Sequence, residues 1–433
     1  MKANVKSRDV LLGAPLEVRS CGLDFGTSNS TVAVVSDAKP HLVPVEGENT
    51  TIPSAVFFST VRRGPTFGRE AINRYTEGEP GRFMRAIKSI LGHRLFREET
   101  PLQGKMVPLS DVLRLFLRHL KVKAEHYVEH EISDVVLGRP VQFIEDDPEA
   151  DRRAQADLES AARALGFRNI EFQYEPIAAA LYYEQDVLKE EIVFVVDIGG
   201  GTADFSIVKV APGNAKKSDR YNDILANRGI RVGGTDFDRM LSIAYVMPLF
   251  GLGTRMRDGG PELPKWIYYD LSTWSQIPFL YSQKTMTTLR SIRYDSERQD
   301  LIDRLIHVID RQEGHRIADA VEHAKITLTD AMEATADLEY VLPDLRVRID
   351  RAQLDCSIEP GVRRIERTIA QTVLDASLSN ADIKAVFLTG GSSMIPMIRS
   401  TISRFFNNAT VMHGDMFGSV GKGLGLDAFR KFE

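Results

Sequence analysis

The sequence predicts an α/β protein built from two related lobes that face one shared site. The first reason is a repeated pattern: residues 21–35 and 195–210 each read as an apolar strand, an Asp, a turn of Gly with Ser or Thr, and a second strand. The second is that predicted strands and helices alternate along the rest of the chain. The third is composition, because 433 residues with 43% apolar side chains suffice for two or three domains with large cores.

Each repeated hairpin combines features that bind phosphate. Asp24 and Asp197 end the first strands, and the glycines that follow let the backbone turn tightly and expose its N–H groups. The hydroxyls of Thr27, Ser28 and Thr202 add hydrogen-bond donors. Two such turns predict a site in which two lobes hold one polyphosphate, and each lobe supplies a carboxylate for the accompanying metal ion.

Composition excludes several function classes. The 55 basic and 60 acidic residues give a net charge of −5, which argues against non-specific attraction to nucleic acid or an anionic membrane. Cys21 and Cys356 cannot form a disulfide framework, and no Cys/His spacing is typical of zinc ligands. The apolar stretch at 10–16 is interrupted by Gly13 and Pro15, so it is too short and broken for a signal peptide or a membrane span. A cytoplasmic protein is therefore expected.

Periodicity and turn residues predict the elements between the hairpins. Strands are expected at 54–59, 134–138, 169–173 and 385–389, with paired strands over 338–349 and a turn at 65–68. The segment from 250 to 310 predicts only mixed loops and helices. Helices are expected at 81–92, 110–130, 317–329, 362–378 and 414–432. One helix is expected to begin at Pro148 after a capping Asp147, one at Pro176, and one after a cap at Thr235 or Asp236. A further helix is expected to follow the turn at Gly390 and Gly391 and to end at Phe406.

Two well-known nucleotide-binding motifs do not fit the glycine turns. A dinucleotide fingerprint counted from Gly199 would place its third glycine at Asp204, and a strand follows where that motif requires a helix. No G-x-x-x-x-G-K-[ST] run is present for a P-loop. If the glycine turn occurred only once, an ordinary hairpin without a binding role would remain an alternative. Two copies with Asp in register, and a third turn at Gly390 and Gly391, favour a functional repeat.

Five motifs resemble, in order and spacing, those of the DnaK-type heat shock protein 70 chaperones. They are DFGTS at 24–28, EPIAAA at 175–180, DIGGGTADF at 197–205, GGTDFD at 233–238 and GGSSMIP at 390–396. The resemblance spans about 21–432 and is greatest to the short YegD-type branch, which has the ATPase unit alone. It implies the actin-like ATPase fold, in which two ribonuclease-H-like lobes with inserted subdomains surround a nucleotide cleft. The segment 266–309 departs from the common chaperone sequences.

The resemblance also implies domain boundaries. Lobe I would span 18–190, with an inserted subdomain at about 45–130, and 411–433 would complete it. Lobe II would span 191–410, with an inserted subdomain at about 233–350. Because the sequence stops at Glu433, no C-terminal substrate-binding domain is expected, nor peptide capture within one polypeptide.

At the phosphate end, the resemblance assigns a role to each residue type. Asp24, Glu175 and Asp197 would hold the water shell of a Mg²⁺ ion, and Asp204 would help to bind a monovalent cation such as K⁺. Lys88 would orient the attacking water, which Asp197 and Thr202 would position. The remaining phosphate-side residues are Gly26, Thr27, Ser28, Asn29, Gly199, Gly200, Gly201 and Gly234. Asn29 departs from the family, since chaperones commonly carry a Tyr there.

At the nucleoside end, Glu322 and Lys325 lie on one predicted helical turn, where the family has its ribose clamp; a surface ion pair is the alternative. Thr329 would reach the adenine, Gly390 and Gly391 would admit the nucleoside, and Asp415 would flank it. Typical members sandwich adenine between two arginines, but Ile326 and Met394 occupy these positions. The loss of two cation–π contacts, worth about 0.5–2 kcal/mol each, predicts weaker adenine binding.

The expected function is that of a chaperone-like, ATP-binding and weakly ATP-hydrolysing protein whose lobes move with nucleotide state and change a surface offered to another protein. The identity of that partner or client, and of any co-chaperone or exchange factor, is open. Three alternatives remain: a small-molecule kinase of the same superfold, an actin-like filament former, and a nucleotide-gated binding module with negligible turnover.

Overall fold

The computed structural model describes residues 18–102, 104–144, 147–184, 187–214, 217, 219–412 and 418–433. The strands are β1 Ser20–Phe25, β2 Asn29–Ser36, β3 Lys39–Leu42, β4 Ile52–Pro53, β5 Ala55–Ser59, β6 Pro65–Phe67, β7 Gly81–Arg85, β8 Glu99–Leu102, β9 Lys105–Pro108, β10 Asp134–Arg139, β11 Asn169–Tyr174, β12 Glu191–Ile198, β13 Ala203–Val210, β14 Ile224–Ile230, β15 Glu333–Asp337, β16 Arg346–Asp350, β17 Ile383–Thr389 and β18 Thr410–Met412.

The helices connect and cover these strands. They are α1 Gly68–Thr76, α2 Leu109–Val128, α3 Pro148–Ala164, α4 Glu175–Glu184, α5 Gly234–Leu241, α6 Trp266–Leu271, α7 Ile277–Leu280, α8 Gln283–Asp295, α9 Gln299–Asp310, α10 Gly314–Asp330, α11 Arg351–Asp375, α12 Pro396–Phe405 and α13 Ser419–Phe432. Among the described residues, no helix is long and apolar enough to span a bilayer.

Two sheets of the same design form the body of the protein. The first has the order β3-β2-β1-β10-β11, with β4 also paired to β2, and the second has the order β14-β13-β12-β17-β18. In each sheet three antiparallel strands are followed by two parallel ones. We call the body around the first sheet lobe I and the body around the second lobe II. The two predicted hairpins, β1–β2 and β12–β13, occupy equivalent places in the two sheets, which confirms the predicted fold class.

The smaller sheets lie outside these two. Strands β6-β5-β7 form one sheet and β8-β9 a hairpin, and both follow the first hairpin in the chain. The β15–β16 hairpin and helices α6 to α9 follow the second hairpin in the same way. Aliphatic residues of α6, α8 and α9 join the large core cluster of lobe II. The segment 250–310 thus contains both loops and helices, as predicted, with loops up to 265 and packed helices from Trp266 onwards.

The last helix returns to lobe I and packs closely on its sheet. A Cβ added to Gly22 on β1 would lie 2.1 Å from the backbone N of Gly425, and one on Gly423 would lie 1.9 Å from the carbonyl O of Ala178 on α4. Glycine is needed at these positions because the backbone of α13 touches the backbones of β1 and α4. A core cluster that includes Ile177 to Leu181 on α4, Val195 on β12 and Leu424 on α13 joins the two lobes beneath the cleft.

Two predicted elements are wrong. Residues 81–92 form the strand β7 and a 3₁₀ turn, Ile87–Ile90, because β7 pairs with β5 from Gly81 to Arg85. The predicted turn at 65–68 contains the short strand β6, which pairs with β5 on its other edge. Long-range pairing decides both cases, and the local periodicity does not report it.

Three predicted boundaries are displaced. The paired strands expected over 338–349 lie at β15 and β16, and their connection contains Leu338 and Leu345. Helix α11 begins at Arg351, eleven residues earlier than expected, because the Asp350 carboxylate accepts the Gln353 N–H and caps it. The described part of the closing helix begins at Ser419.

Candidate active site

Three carboxylates and one ammonium group meet where the two lobes face each other. Asp24 lies near the end of β1, Asp197 near the end of β12, and Glu175 is the first residue of α4. A Cβ added to Gly138 on β10 would lie 3.5 Å from Glu175 Cγ and 3.7 Å from Asp24 Oδ1. Lys88 Nζ donates to Glu175 Oε1 at 2.7 Å, with both side chains at most 15% exposed.

The carboxylates repel one another in this half-buried setting. Burial, together with the charges of Glu175 and Asp197, raises the pKa of Asp24 to about 8, and Lys88 opposes the rise. Burial and Glu175 likewise raise the pKa of Asp197 to about 6, against a hydrogen bond from Thr389 and the charge of Lys88. Burial alone would lower the pKa of Lys88, but its carboxylate neighbours raise it overall. One lysine does not neutralise three acids, so the cluster suits an added cation.

The donor set fits an ion that keeps part of its water shell. In the described part of the chain, no three His, Cys, Asp or Glu side chains are arranged to ligate a metal ion directly. Mg²⁺ commonly retains several waters when proteins bind it through carboxylates. The expectation that Asp24, Glu175 and Asp197 hold the water shell of Mg²⁺ stays a prediction.

The first glycine turn joins β1 to β2 and is braced from below. Ser54 Oγ donates to the carbonyl of Gly26 at 2.7 Å, and the Ser54 N–H donates to that of Ser28 at 2.8 Å. A Cβ on Gly26 would lie 2.1 Å from the carbonyl O of Asn29, so the turn requires glycine there. Thr27, Ser28 and Asn29 are half-buried. The predicted phosphate residues of lobe I thus form one tight turn.

The second turn joins β12 to β13 and touches the first across the cleft. The Gly199 N–H donates to the carbonyl of Thr202 at 3.0 Å and closes the turn. The Gly200 N–H donates to Ser28 Oγ at 3.1 Å, which links the two lobes. A Cβ on Gly201 would meet no atom within 4 Å, so the turn adjoins open space at this residue. Packing within the protein does not explain the glycine at 201, whereas a closely approaching ligand would.

Two further turns hold the second one in place. The N–H groups of Gly234 and Thr235 donate to the carbonyls of Gly199 and Gly200 at 2.9 and 2.7 Å, and Thr235 Oγ1 donates to the latter as well. Ser392 Oγ donates to the Gly199 carbonyl at 3.2 Å. These hydrogen bonds leave the backbone around 199–201 little freedom to move.

The predicted cap of α5 is wrong in detail. Gly233 is the N-cap residue, and its N–H donates to Asp236 Oδ2 at 3.1 Å. Thr235 lies inside the helix with its hydroxyl directed to Gly200. Both candidate residues therefore support the start of the helix, although neither is its N-cap.

The turn after β17 approaches the carboxylates. Gly390 has a φ of 75°, and a Cβ there would lie 2.5 Å from Asp197 Oδ1 and 2.4 Å from the carbonyl O of Ile198. Gly391 begins a 3₁₀ turn that ends at Met394, which is half-buried. Glycine at 390 is therefore explained by backbone conformation and by contact with Asp197.

Helix α10 supplies the other predicted nucleoside residues. Lys325 is buried, and its Nζ lies 2.8 Å from Asp238 Oδ1 and donates to the Gly234 carbonyl at 3.2 Å. Ile326 is 56% exposed. Thr329 Oγ1 lies 3.5 Å from the carbonyl O of Lys325 within the helix. The helix thus links the nucleoside residues to the Gly233–Gly234 turn.

Two charged residues at this end were missed. Burial raises the pKa of Asp238 to about 6 against the attraction of Lys325, and Glu322 adds to the rise. Arg85, at the end of β7, lies 4.0 Å from Glu322 Oε2 in lobe II. Asp238 closes the GGTDFD motif, so the signal was present. Nothing in the sequence near Arg85 indicates its contact across the cleft.

The last three predicted residues differ in what the structure shows. Asp204 pairs with Asp197 across the β12–β13 hairpin and lines a cavity of about 20 Å³ with Glu175 and Asp197. That volume is enough for about one water molecule. Thr202 is exposed at the turn. Asp415 lies outside the described residues.

Comparison with protein families agrees with this architecture. The model described as Hsp70 protein matches residues 20–112, 99–254 and 298–416, which together are most of the chain. The chain belongs to the Hsp70 family. Membership accounts for the actin-like ATPase fold seen in the two equivalent sheets, and it indicates ATP binding of the chaperone type. Residues 255–297 lie between the matched ranges and overlap the segment in which the motif resemblance is weakest.

Proposed function

We propose that this protein binds Mg-ATP between its lobes, hydrolyses it slowly, and changes lobe closure and partner binding with nucleotide state. The observation that carries the proposal is the half-buried cluster of Asp24, Glu175, Asp197 and Lys88 beside glycine turns from both lobes. A polyphosphate placed against open Gly201 would reach backbone N–H groups on one side and the carboxylate cluster on the other.

The proposed roles follow from charge and position. When bound, Mg²⁺ supplies neutralisation of phosphate charge. Asp24, Glu175 and Asp197 would hold its waters, and Asp204 would contribute to a K⁺ site. Phosphoryl transfer to water needs an aligned nucleophile, which Lys88 Nζ, Asp197 and the Thr202 hydroxyl would orient.

Asp197 is also placed to accept a hydrogen bond from the attacking water. Its raised pKa of about 6 belongs to the protein without a cation, and a bound Mg²⁺ would lower it, so the carboxylate would be ionised when the nucleotide is present. Lys88 Nζ, now held by Glu175 Oε1, would stay protonated and stabilise the negative charge that develops on the phosphate.

We further propose that the lobes correspond to 18–190 with 411–433 and to 191–410, with inserted subdomains at about 45–130 and 233–350. The cluster that joins the lobes at α4 and α13 would be the pivot about which they close. A cytoplasmic location and a protein partner, with a co-chaperone or exchange factor acting on the cycle, complete the proposal.

Phosphate release from Mg-ATP tests the hydrolytic part. Lys88→Ala and Asp197→Asn are each expected to lower kcat by at least about 100-fold, the usual effect of removing one group that stabilises the transition state. Lys265→Ala, which removes a largely exposed lysine, is the matched control and is expected to leave kcat unchanged.

Equilibrium titration with Mg-ATP separates the remaining possibilities. Binding without turnover in the wild-type protein would favour a nucleotide-gated binding module. Turnover that is unchanged in both site variants would contradict the assignment of the site. Light scattering that rises with ATP would favour a filament former, and phosphate transfer to a small hydroxyl compound would favour a kinase.

A further inference from the structure

Strand β7 and the 3₁₀ turn that follows it place two cationic side chains at opposite ends of the cleft. Arg85 is the last residue of β7 and lies 4.0 Å from Glu322 in lobe II, whereas Lys88, three residues later, pairs with Glu175 in lobe I. Ala86 stands between them with a φ of 59°. Left-handed backbone is unfavourable for a residue with a Cβ and is often found at functional positions. The bend directs the two side chains to different partners.

The guanidinium of Arg85 is held from lobe II by an aromatic side chain. Its Cζ lies 4.9 Å from the ring centroid of Trp274, within the range of a cation–π contact. Phe83 lies on the same face of β7, 5.9 Å from the Trp274 ring, and stacks on Tyr75 of α1 at 4.7 Å. Arg85 therefore lies within an aromatic seam between the lobes.

A histidine from lobe II closes this seam. The Tyr75 hydroxyl lies 3.1 Å from His315 Nδ1, and His315 Nε2 lies 3.1 Å from the carbonyl O of Trp274. The carbonyl can only accept, so Nε2 carries the proton and Nδ1 accepts from Tyr75. These contacts fix Trp274, and with it the place of the Arg85 guanidinium, in this arrangement of the lobes.

Arg85 is the cation from lobe I that stands opposite Glu322. On the lobe II side, the second acid, Asp238, is already paired with Lys325. Glu322 adds to the negative potential there and raises the pKa of Asp238. Arg85 therefore compensates the Glu322 carboxylate, and it does so from across the cleft.

We propose that Arg85 is a positioning residue of the nucleoside site, which holds the Glu322 carboxylate for the ribose hydroxyls and makes that contact depend on lobe closure. The inference rests on the proposed function, because it requires a nucleotide between the lobes. Arg85 acts through Glu322 and has no part in the chemistry at the phosphates.

A ligand from which the ribose hydroxyls have been removed tests the role of Arg85. Dissociation constants for Mg-ATP and for its 2′,3′-dideoxy analogue would be measured with the wild-type protein, Arg85→Met and Glu322→Gln. Arg85→Met is expected to weaken ATP binding about fivefold and the binding of the dideoxy analogue less than about twofold, with kcat at saturation unchanged. Glu322→Gln should likewise weaken the binding of ATP more than the binding of the dideoxy analogue.

Three variants control for changes in net charge and in packing. Arg82→Met removes the same charge from a nearby exposed residue of β7 and should leave both affinities unchanged. Arg85→Lys keeps the charge and should retain at least half of the ATP affinity. Trp274→Leu should also weaken ATP binding more than the binding of the dideoxy analogue, but by a smaller factor than Arg85→Met, because it removes the aromatic ring that contacts the Arg85 guanidinium.

The outcomes separate this inference from the proposed function. Equal losses for ATP and the dideoxy analogue in Arg85→Met, or no loss at all, would overturn the role of Arg85 even if wild-type turnover depends on Lys88. If Glu322→Gln also fails to distinguish the two ligands, the ribose clamp is wrong and the inference is wrong with it. Absence of ATP binding by the wild-type protein would refute both.

Discussion

The two ends of the cleft are built by different means. At the phosphate end, the backbone of 199–201 is fixed by hydrogen bonds from Gly234, Thr235 and Ser392, and carboxylates from both lobes lie beside it. At the nucleoside end, side chains of α10 supply most of the predicted contacts, Ile326 is exposed, and one contact, Arg85 to Glu322, spans 4.0 Å across the cleft. The proposed phosphate site is therefore pre-organised, whereas the proposed nucleoside site includes a contact that needs both lobes.

This difference indicates how binding energy is distributed. Fixed backbone donors and a charged cluster cost little reorganisation when a polyphosphate arrives. Long side chains that must be ordered, together with apolar residues in place of arginines, contribute less. We therefore expect changes at the phosphate end to have larger effects than changes at the nucleoside end.

The largest effects are expected at two glycines of the phosphate end, whose alanine variants should differ in stability. A Cβ on Gly233 would lie 2.6 Å from the Gly200 backbone, so Gly233→Ala should lower the free energy of unfolding by about 2 kcal/mol and also weaken ATP binding. A Cβ on Gly201 meets no protein atom, so Gly201→Ala should leave unfolding unchanged and still weaken ATP binding about tenfold.

Urea unfolding and Mg-ATP titration of the two glycine variants check this pair. Wild-type ATP affinity in Gly201→Ala would show that no ligand approaches the open side of this turn. Unchanged stability in Gly233→Ala would show that the turns are not held as tightly as the hydrogen bonds indicate.

The raised pKa of Asp24 predicts how stability changes with pH in the nucleotide-free protein. The carboxyl is protonated up to about pH 8 when folded but only to its ordinary value of 3.8 when unfolded, so the folded state binds more protons between these values. Stability is therefore lost as pH rises through this window. Urea unfolding should give a lower free energy at pH 8 than at pH 5. Asp24→Asn should have a shallower slope, and an identical slope would contradict the assignment.

At the nucleoside end, restoring arginines should strengthen binding by a smaller factor. Ile326→Arg/Met394→Arg is expected to tighten Mg-ATP binding about fivefold through contacts with the faces of the base, and to leave Mg-triphosphate binding almost unchanged. Met332→Arg/Leu374→Arg adds the same charge at two exposed positions and serves as control. Equal tightening in both double variants would show that net charge, not stacking, is responsible.

The smallest effect is expected at Asp238. Asp238→Asn keeps the shape of the side chain but leaves Lys325 without its carboxylate, so ATP affinity should fall about threefold with kcat at saturation unchanged. Asp310→Asn, at the exposed end of α9, is the matched control. A fall in kcat that exceeds the fall in affinity would place Asp238 with the phosphate residues instead.

Local patterns predicted the parts of the molecule that local physics determines. The two hairpins, the cap at Asp147 and the amphipathic helix α2 follow from turn chemistry and periodicity, and all are present. The carboxylates at 24 and 197 could be predicted because each ends a strand of a repeated motif. Equivalent sheets then bring them to the same edge of the cleft.

Long-range contacts decided the rest. Residues 81–85 form a strand because they hydrogen-bond to β5, which is distant in sequence, and no periodicity in the segment shows this. Arg85 and Asp238 gain their roles only when lobe II lies opposite β7 and when α5 meets α10. The phosphate end could thus be predicted more fully than the nucleoside end because its turns are local motifs, although the hydrogen bonds that hold them come from distant parts of the chain.

The most direct test of the difference between the two ends divides the nucleotide into its parts. Titration of the wild-type protein with Mg-ATP, Mg-triphosphate and adenosine compares the contribution of each part to binding. We predict that Mg-triphosphate binds within about tenfold of Mg-ATP, while adenosine binds at least about 100-fold more weakly than either. Adenosine binding comparable to that of Mg-ATP, with no measurable binding of Mg-triphosphate, would contradict this prediction.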